Sequence, residues 1–325
     1  MRDQFGREID YMRISVTDRC NLRCRYCMPE DFKWNEEKRI LTYEEILRIC
    51  RQAVSLGIHH YKITGGEPLV RPGITGFLKK LHRVPGVETV TLTTNGVLIE
   101  EALPGLLDAG IDGVNISLDT TDPEKYHSLT GKDCQKEVVD SNYACADRGI
   151  ATKVNCVLLK DNKNEILSLA ELAEKIPVDV RFIELMPLGV GTAEEGISRK
   201  EAREILIEKY PDLTLCKNVP RHMYGNGPAH YETSEHLIGK IGWIDAVSHG
   251  FCDQCNRIRL TSAGMLKPCL CFGESTDLKT LLREGCEDLK LQKVMKDAIN
   301  HKPRKHCFGM RDEITEKHSM AEIGG

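Results

Sequence analysis

Residues 11 to about 210 alternate short strand-like segments with helical ones, and this alternation constrains the fold more than any other feature of the sequence. A strand followed by a helix and a second strand predicts a right-handed βαβ unit and a parallel sheet. Six such units fit into this part of the chain. Their strands are predicted at residues 11–16, 60–64, 89–94, 113–117, 151–158 and 178–185.

The predicted strands are apolar on one side and polar on the other. Arg13, Ser15 and Thr17 alternate with apolar residues, and residues two apart share a face of a strand. Parallel strands covered on both faces are usually apolar throughout, and a closed eight-stranded barrel fills its interior with apolar layers. We therefore expect an α/β fold, a partial, open (β/α)6 TIM-like barrel whose interior is a site. A sheet with one solvated face is the alternative, but parallel sheets rarely leave a face to water.

The pattern changes after about residue 210. Glycine-rich breaks separate short strand-like segments near 230–232, 238–247 and 257–261, which predict antiparallel strands, and helices are expected near 277–284 and 287–300. We expect a barrel domain over residues 1–215. Residues 216–325 are predicted to form a C-terminal α+β extension that packs against the barrel and carries the second of two cysteine sets.

Two groups of three cysteines, called here the first and second cysteine sets, are the strongest chemical signals. The first set, Cys20, Cys24 and Cys27, directly follows the first predicted strand, and the second set is Cys252, Cys255 and Cys269. Three thiolates can hold a metal centre but leave it incomplete, because structural zinc and iron-sulfur cubes normally take four protein ligands. A zinc-binding interaction module remains an alternative, although Cys271 could complete the second set only through a tight C-x-C spacing.

Composition restricts the partners. A net charge of -4 argues against a nucleic-acid or anionic-membrane binder, and no apolar run approaches the roughly 18 residues of a membrane span. The charged N-terminus lacks the apolar core of a secretory signal, so we expect a cytoplasmic protein with reduced cysteines. Residues such as Cys50, Cys145 and Cys156 are then expected to be small buried hydrophobes. A GTP-binding regulator without chemistry finds little support, because the sequence has no G-x4-G-K-[ST] loop.

The segment RISVTDRCNLRCRYCMP, residues 13–29, together with the Gly65-Gly66-Glu67-Pro68 turn, resembles the radical S-adenosylmethionine superfamily. The resemblance implies that the first cysteine set holds three irons of a [4Fe-4S] cluster. The fourth iron would bind S-adenosylmethionine. Contacts with this cofactor are implied for Tyr26, Gly66, Ser117 and Met186.

Both cysteine sets together, with SHGFCDQCNRIRLT over residues 248–261, resemble the GTP 3',8-cyclase family of molybdenum-cofactor biosynthesis. This resemblance implies a radical lyase that converts GTP to (8S)-3',8-cyclo-7,8-dihydroguanosine 5'-triphosphate with two [4Fe-4S] clusters. The second cysteine set would hold the cluster that binds guanine. The implied GTP contacts are Arg13, Lys62, Thr93, Lys153, Arg257, Ile258 and Arg259.

The resemblance also implies partners and leaves one rival. The product would pass to cyclic pyranopterin monophosphate synthase, an external donor would supply electrons, and the chain would be a monomer or a homodimer. The terminal Gly324 and Gly325 are expected to enter the barrel.

Many relatives carry arginine at the position of Lys62. A lysine at this position lacks the bidentate geometry of arginine. The alternative function is that of a radical enzyme that modifies peptides or matures sulfatases. Beyond the cysteines that hold the clusters, no residue is identified as a catalytic acid or base.

Overall fold

The computed structural model describes residues 1–29, 31–34, 36, 39–190, 195–216 and 226–324. Six strands follow one another with intervening helices through the first part of the chain. The strands are β1 (Tyr11–Ser15), β2 (His60–Thr64), β3 (Thr89–Thr94), β4 (Gly113–Ser117), β5 (Thr152–Leu158) and β6 (Val178–Glu184). The helices are α1 (Tyr43–Ser55), α2 (Ile74–His82), α3 (Ile99–Ala109), α4 (Pro123–Thr130), α5 (Gln135–Asp147) and α6 (Ile166–Lys175).

Further helices and short strands follow β6. The strands are β7 (Thr214–Leu215), β8 (His230–Thr233), β9 (Ile241–Ile244), β10 (Arg257–Leu260), β11 (Met265–Lys267) and β12 (Thr276–Asp277). The helices are α7 (Arg199–Lys209), α8 (Leu278–Arg283), α9 (Asp288–Asn300) and α10 (Met320–Ile323), and all of these elements except α7 and β7 lie in the predicted extension. The predicted boundary between residues 215 and 216 stays a prediction, since β7 to β12 belong to the same sheet as β1 to β6.

Helix α1 shows how local sequence sets the element boundaries. Its first turn is a capping box, in which the Glu45 N–H donates to Thr42 Oγ1 (3.1 Å) and the Thr42 N–H donates to Glu45 Oε2 (2.7 Å). The helix ends before Gly57, whose φ of +87° suits glycine. The Thr42-x-x-Glu45 spacing and Gly57 are thus the sequence features that set the two ends of this helix.

One sheet of 12 strands runs through the described residues in the order β12-β11-β10-β1-β2-β3-β4-β5-β6-β9-β8-β7. The six barrel strands pair in parallel in chain order, as predicted. The sequence predicted the antiparallel strands of the extension, but it did not predict that β10 also pairs in parallel with β1 and β9 with β6. Each edge of the barrel sheet is thereby extended by one more parallel strand. The antiparallel pairs are β7 with β8, β8 with β9, β10 with β11 and β11 with β12.

The core lies between the sheet and its helices. Inward-pointing residues of the helices meet strand residues such as Ile14, Ile63, Leu92 and Ile116, all fully buried. The opposite face of the same strands carries the polar residues, so it forms the lumen of the open barrel. Among the described residues, no helix combines the length and apolar character needed to cross a membrane.

Candidate active site

The first cysteine set lies on the loop after β1, held in place by the glycine pair that follows β2. The Gly66 N–H donates to Thr17 O and the Glu67 N–H to Arg19 O, both at 2.7 Å. A Cβ on Gly66 would lie 2.4 Å from Arg19 O, and one on Gly65 would lie 2.6 Å from Thr17 O. The two glycines are therefore needed for close approach of backbone to backbone, which locks the cysteine loop against the second βα turn.

The buried side chain of Glu67 stabilises this turn. Its carboxylate is fully buried and accepts hydrogen bonds from Thr94 Oγ1 (2.8 Å), the Asn95 N–H (2.6 Å) and the Leu69 N–H (3.0 Å). Burial raises the pKa of Glu67 to about 7, although the three donors oppose this shift. Glu67 thus ties the ends of β2 and β3 to one rigid edge of the sheet.

Three thiols of the first cysteine set face one cavity, called here the first cavity. Burial raises the pKa of Cys20 and Cys24, and together with the neighbouring Cys20 and Asp119 it raises the pKa of Cys27 to about 12. Thiolates are the metal-ligating form, so deprotonation here calls for a positive partner. The Leu22 N–H donates to Cys20 Sγ (3.4 Å), and such donors to sulfur are typical of iron-sulfur sites.

The predicted cofactor contacts line the same cavity as the first cysteine set. Tyr26, Gly66, Ser117 and Met186 all contribute to its wall. Tyr26 Oη donates to Asp119 Oδ2 (2.5 Å), so the ring is held rigidly. Their contact with S-adenosylmethionine stays a prediction, but the structure places all four around one cavity.

The second cysteine set converges from two separate segments of the extension. Cys252 and Cys255 flank a short 3-10 turn, and Cys269 follows β11. All three line a second cavity. The His306 N–H donates to Cys252 Sγ (3.3 Å). Burial raises the pKa of the Cys255 thiol, but the positive charges of Arg257 and Lys302 outweigh it and lower that pKa to about 6.

Both cysteine sets suit an iron-sulfur cluster with one open iron. Every cysteine of the chain lies in the described residues and is a free thiol. Each set offers three cysteines to a cavity, with N–H donors aimed at sulfur, which is the donor set that such a cluster needs. Within the described ranges, no three His, Cys, Asp or Glu side chains form a site for a single metal ion.

Positive side chains on neighbouring strands line the second cavity. Arg13 lies directly between Arg259 of β10 and Lys62 of β2 in the sheet register, and Arg257 lies two residues from Arg259 on the same face. Thr93 also lines this cavity. The parallel β1–β10 pair, which the sequence did not predict, is what brings these cations together.

These cations are buried close together and repel one another, so a bound anion would stabilise their charged forms. Burial, with the charges of Arg257 and Arg181, lowers the pKa of Arg13 to about 10. Burial, with the charges of Arg181 and Arg13, lowers the pKa of Lys62 well below its ordinary value. Burial and Arg13 likewise lower the pKa of Arg259. A polyanion such as a triphosphate would relieve this repulsion, and its interaction with these cations would be strong because they are buried.

The two cavities share one wall. The residues that line both are Arg13, Thr93, Asn155, Ile183, Met186 and Arg259. A group bound at the first cysteine set therefore lies across this shared wall from one bound at the second. The arrangement can hold two reactants close together inside one lumen.

The C-terminal tail lies against the same lumen, as predicted for Gly324. Arg259 Nη1 donates to Gly324 O at 2.6 Å, and a Cβ on Gly324 would lie 2.9 Å from Ser15 Cβ. The backbone of Ala321 hydrogen-bonds to the Cys27 thiol, and Met320 lines the first cavity. The tail thus contacts the first cysteine set and a cation of the second cavity. Gly325 lies outside the described residues.

Two predicted GTP contacts line neither cavity. Lys153 lies beside Asn115 and Asp179 in the sheet register, two residues before Asn155, which lines both cavities. Its Nζ lies 5.5 Å from the Tyr231 ring centre. The Ile258 side chain is buried in the core because alternate residues of β10 point away from the lumen. Any contact of Ile258 with a ligand would have to use its backbone.

Sequence reasoning missed Arg181, which lines the second cavity. Its Nη2 donates to Asn115 Oδ1 (2.5 Å) and Asn155 Oδ1 (2.6 Å), and both amides belong to the polar strand face. The alternation of β6 offered a signal, since Asp179 and Arg181 alternate with Val178, Val180 and Phe182 and therefore share the polar face of the strand.

Comparisons with known proteins agree with this geometry. A family model of the radical SAM superfamily matches residues 14–173, and one described as Molybdenum Cofactor Synthesis C matches residues 178–308. A GTP 3',8-cyclase of Clostridium perfringens (strain SM101 / Type A) is 42% identical, with 100% of each chain covered. A GTP 3',8-cyclase of Alkaliphilus oremlandii (strain OhILAs) is 39% identical, again with 100% of each chain covered.

A solved structure adds a comparison of fold. The crystal structure of Streptococcus suis SuiB matches with a TM-score of 0.65 at 16% identity, covering 94% of this chain and 68% of SuiB. At this identity the similarity is one of fold alone. The predicted fold class, a partial open barrel with a C-terminal extension, is confirmed.

Proposed function

Because the chain belongs to the GTP 3',8-cyclase family within the radical S-adenosylmethionine superfamily, we propose that it converts GTP to (8S)-3',8-cyclo-7,8-dihydroguanosine 5'-triphosphate. The observation that carries this proposal is the pair of adjoining cavities, each lined by three free cysteines, with cations on the wall between them. A single-cluster enzyme would need only the first of these cavities. The reaction is the first step of molybdenum-cofactor synthesis.

The chain's own residues divide the work by position. Cys20, Cys24 and Cys27 would hold the first [4Fe-4S] cluster, and with S-adenosylmethionine bound this centre would supply the radical chemistry that acts on the ribose. The residues that orient this cofactor are Tyr26, Gly66, Ser117 and Met186. Asp119 holds the Tyr26 ring by a hydrogen bond, so that the adenine side of the cavity keeps its shape.

The second cavity binds the substrate. Cys252, Cys255 and Cys269 would hold the second cluster, which would supply a binding site for the guanine base. Arg13, Lys62, Arg257 and Arg259 bind the triphosphate, and Thr93 contacts the nucleotide. Fixing the base and the phosphates at opposite ends of GTP restricts the ribose, and Arg13 and Arg259 on the shared wall keep the nucleotide next to the first cavity. Restricting the substrate in this way directs a reactive radical to one hydrogen.

The proposed partners follow from the reaction. An external one-electron donor reduces the first cluster, and cyclic pyranopterin monophosphate synthase takes the product. Lys153 and Ile258 contribute to GTP binding from outside the cavity wall. Lys153 does so through the charge that it adds to the lumen. Their contribution should be smaller than that of the cations on the cavity wall.

Anaerobic purification followed by iron and sulfide analysis tests the proposal. We expect about eight irons per chain, because each of two [4Fe-4S] clusters brings four. Incubation with GTP, S-adenosylmethionine and a reductant should yield GTP-dependent deoxyadenosine and the cyclised nucleotide, identified by mass spectrometry. About four irons per chain together with unchanged GTP would contradict the proposal.

A further inference from the structure

The first eight residues form a small hairpin that precedes the barrel. Arg2 and Glu8 pair as an antiparallel bridge, and Gly6 turns the chain with a φ of +78°. Asp3 Oδ1 accepts hydrogen bonds from the Phe5 N–H (2.9 Å) and the Arg7 N–H (3.0 Å), which closes the turn. The hairpin thereby holds the Arg7 side chain in one fixed direction, toward the extension.

Arg7 reaches the second cysteine set from the opposite end of the chain. Its Nε donates to Asp3 Oδ2 (2.7 Å), and its Nη1 donates to the carbonyl oxygen of Cys252 (3.0 Å). The same guanidinium donates to the carbonyl oxygens of residues 302–304 at 3.4, 2.9 and 3.0 Å. Arg7 is only 7% exposed and does not line the second cavity, so it acts on backbone instead of on a ligand.

Residues 302–306, called here the brace, contact Cys252 and the chain next to Cys255 and Cys269. Lys302 Nζ donates to Arg257 O (2.8 Å), two residues after Cys255, and to Pro268 O (2.5 Å), just before Cys269. At its other end, the brace donates the N–H of residue 306 to Cys252 Sγ (3.3 Å). Arg7 is the group that joins this brace to the Cys252 carbonyl.

We infer that Arg7 is a positioning residue for the second cluster, fixing the spacing of its three cysteines by clamping the brace to the Cys252 turn. The inference rests on the proposed function, because it requires a cluster at this set. Arginine suits the role because its planar fork carries several donors in fixed directions, whereas lysine offers a single ammonium group. The Asp3 carboxylate balances the buried charge, with both side chains at most 5% exposed.

Variants of Arg7 test the inference on the intact holoenzyme. Arg7→Met removes every hydrogen bond of the clamp, and Arg7→Lys keeps the charge but loses the fork. The control is Arg203→Met, because Arg203 binds the Glu232 carboxylate (3.0 Å) and Leu213 O (2.9 Å) in the extension without touching the brace. Iron loss to a chelator is followed by electron paramagnetic resonance, with the first cluster as internal reference, and thermal unfolding is recorded for each variant.

Arg7→Met should lose iron from the second cluster about 10- to 100-fold faster than the parent, as found when groups supporting metal ligands are removed. The first cluster should be unaffected, Arg7→Lys should fall between parent and Arg7→Met, and Arg203→Met should keep both clusters. Parent-like retention of the second cluster in Arg7→Met would overturn the inference. So would equal loss of both clusters in Arg7→Met and Arg203→Met, since that is general destabilisation. A parent enzyme with one cluster would instead overturn the proposed function.

Discussion

Lys62 shows at the level of one residue how the lumen is prepared for an anion. It lies beside Arg13 in the sheet register and lines the second cavity. Burial and the charges of Arg181 and Arg13 lower its pKa, so the lysine is the cation of this group that can lose its proton most readily. A bound triphosphate would act in the opposite direction and raise that pKa.

GTP binding should therefore be coupled to proton uptake by Lys62. Affinity should be greatest below the lowered pKa of the free enzyme and should decline as pH rises above it, by at most about tenfold per pH unit for one proton. Equilibrium binding of GTP to the holoenzyme from about pH 7 to about pH 9.5, below the ordinary lysine value, measures this slope. Lys62→Arg should bind GTP with a flatter profile because arginine stays charged. An equally steep profile in Lys62→Arg would assign the slope to another group.

At the level of elements, local pattern predicted the barrel strands but not their distant partners. Strands β2, β3 and β4 have the boundaries that the sequence predicted, because apolar and polar residues alternate through most of their length. The parallel pairing of β9 with β6 and of β10 with β1 was not predicted, because a strand's partner across a large stretch of chain leaves no local signal. The cations of β10 could be named from the family resemblance, yet their position beside Arg13 depends on that parallel pairing.

The same limit applies to the site. Both cysteine sets and Met186 were named from motifs, whereas Arg181 and Arg7 were missed because their roles depend on contacts with segments remote in sequence. Lys153 was named but lies outside the cavities, since alternation alone tells which face a residue is on and not how far along the strand the cavity reaches.

The terminal helix α10 and its glycine make an element that can be tested separately. Gly324 has a φ of +81°, and an added Cβ would lie 2.9 Å from Ser15 Cβ and 3.1 Å from Thr64 Cγ2. Gly324→Ala should displace the tail from Arg259 and lower turnover of GTP by about tenfold or more, since a misplacement of about 1 Å can cost about 100-fold in a site of this kind.

Gly149→Ala is the matched control for this tail variant. Gly149 has a similar φ of +69°, but nothing lies within 4 Å of its added Cβ. Both variants carry the cost of about 1 kcal/mol of an alanine in left-handed backbone. Turnover measured beside thermal stability should therefore separate them, with Gly149→Ala active. Equal activity of the two variants, or full turnover after deletion of residues 324–325, would show that the tail has no part in the reaction.

At the scale of the whole molecule, one sheet joins two cysteine sets that lie more than 200 residues apart in sequence. The first set follows β1, and the second set flanks β10, the strand that pairs with β1. The brace and the Arg7 clamp then tie the N-terminal hairpin to the second set, while α10 reaches the first. Residues near the N-terminus thus contact the second cysteine set and residues near the C-terminus contact the first, while the two cavities remain distinct.

Separate cavities predict separate consequences when single cysteines are removed. Cys24→Ser should abolish cleavage of S-adenosylmethionine, because Cys24 lines only the first cavity. Cys255→Ser should retain some cleavage but lose the cyclised product, because Cys255 lines only the cavity proposed for GTP. Deoxyadenosine and cyclised nucleotide are quantified in the same anaerobic reaction. Cys286→Ser, a cysteine outside both cavities, controls for loss of a thiol. If Cys24→Ser and Cys255→Ser lost both products alike, the two centres could not have the distinct roles assigned to them.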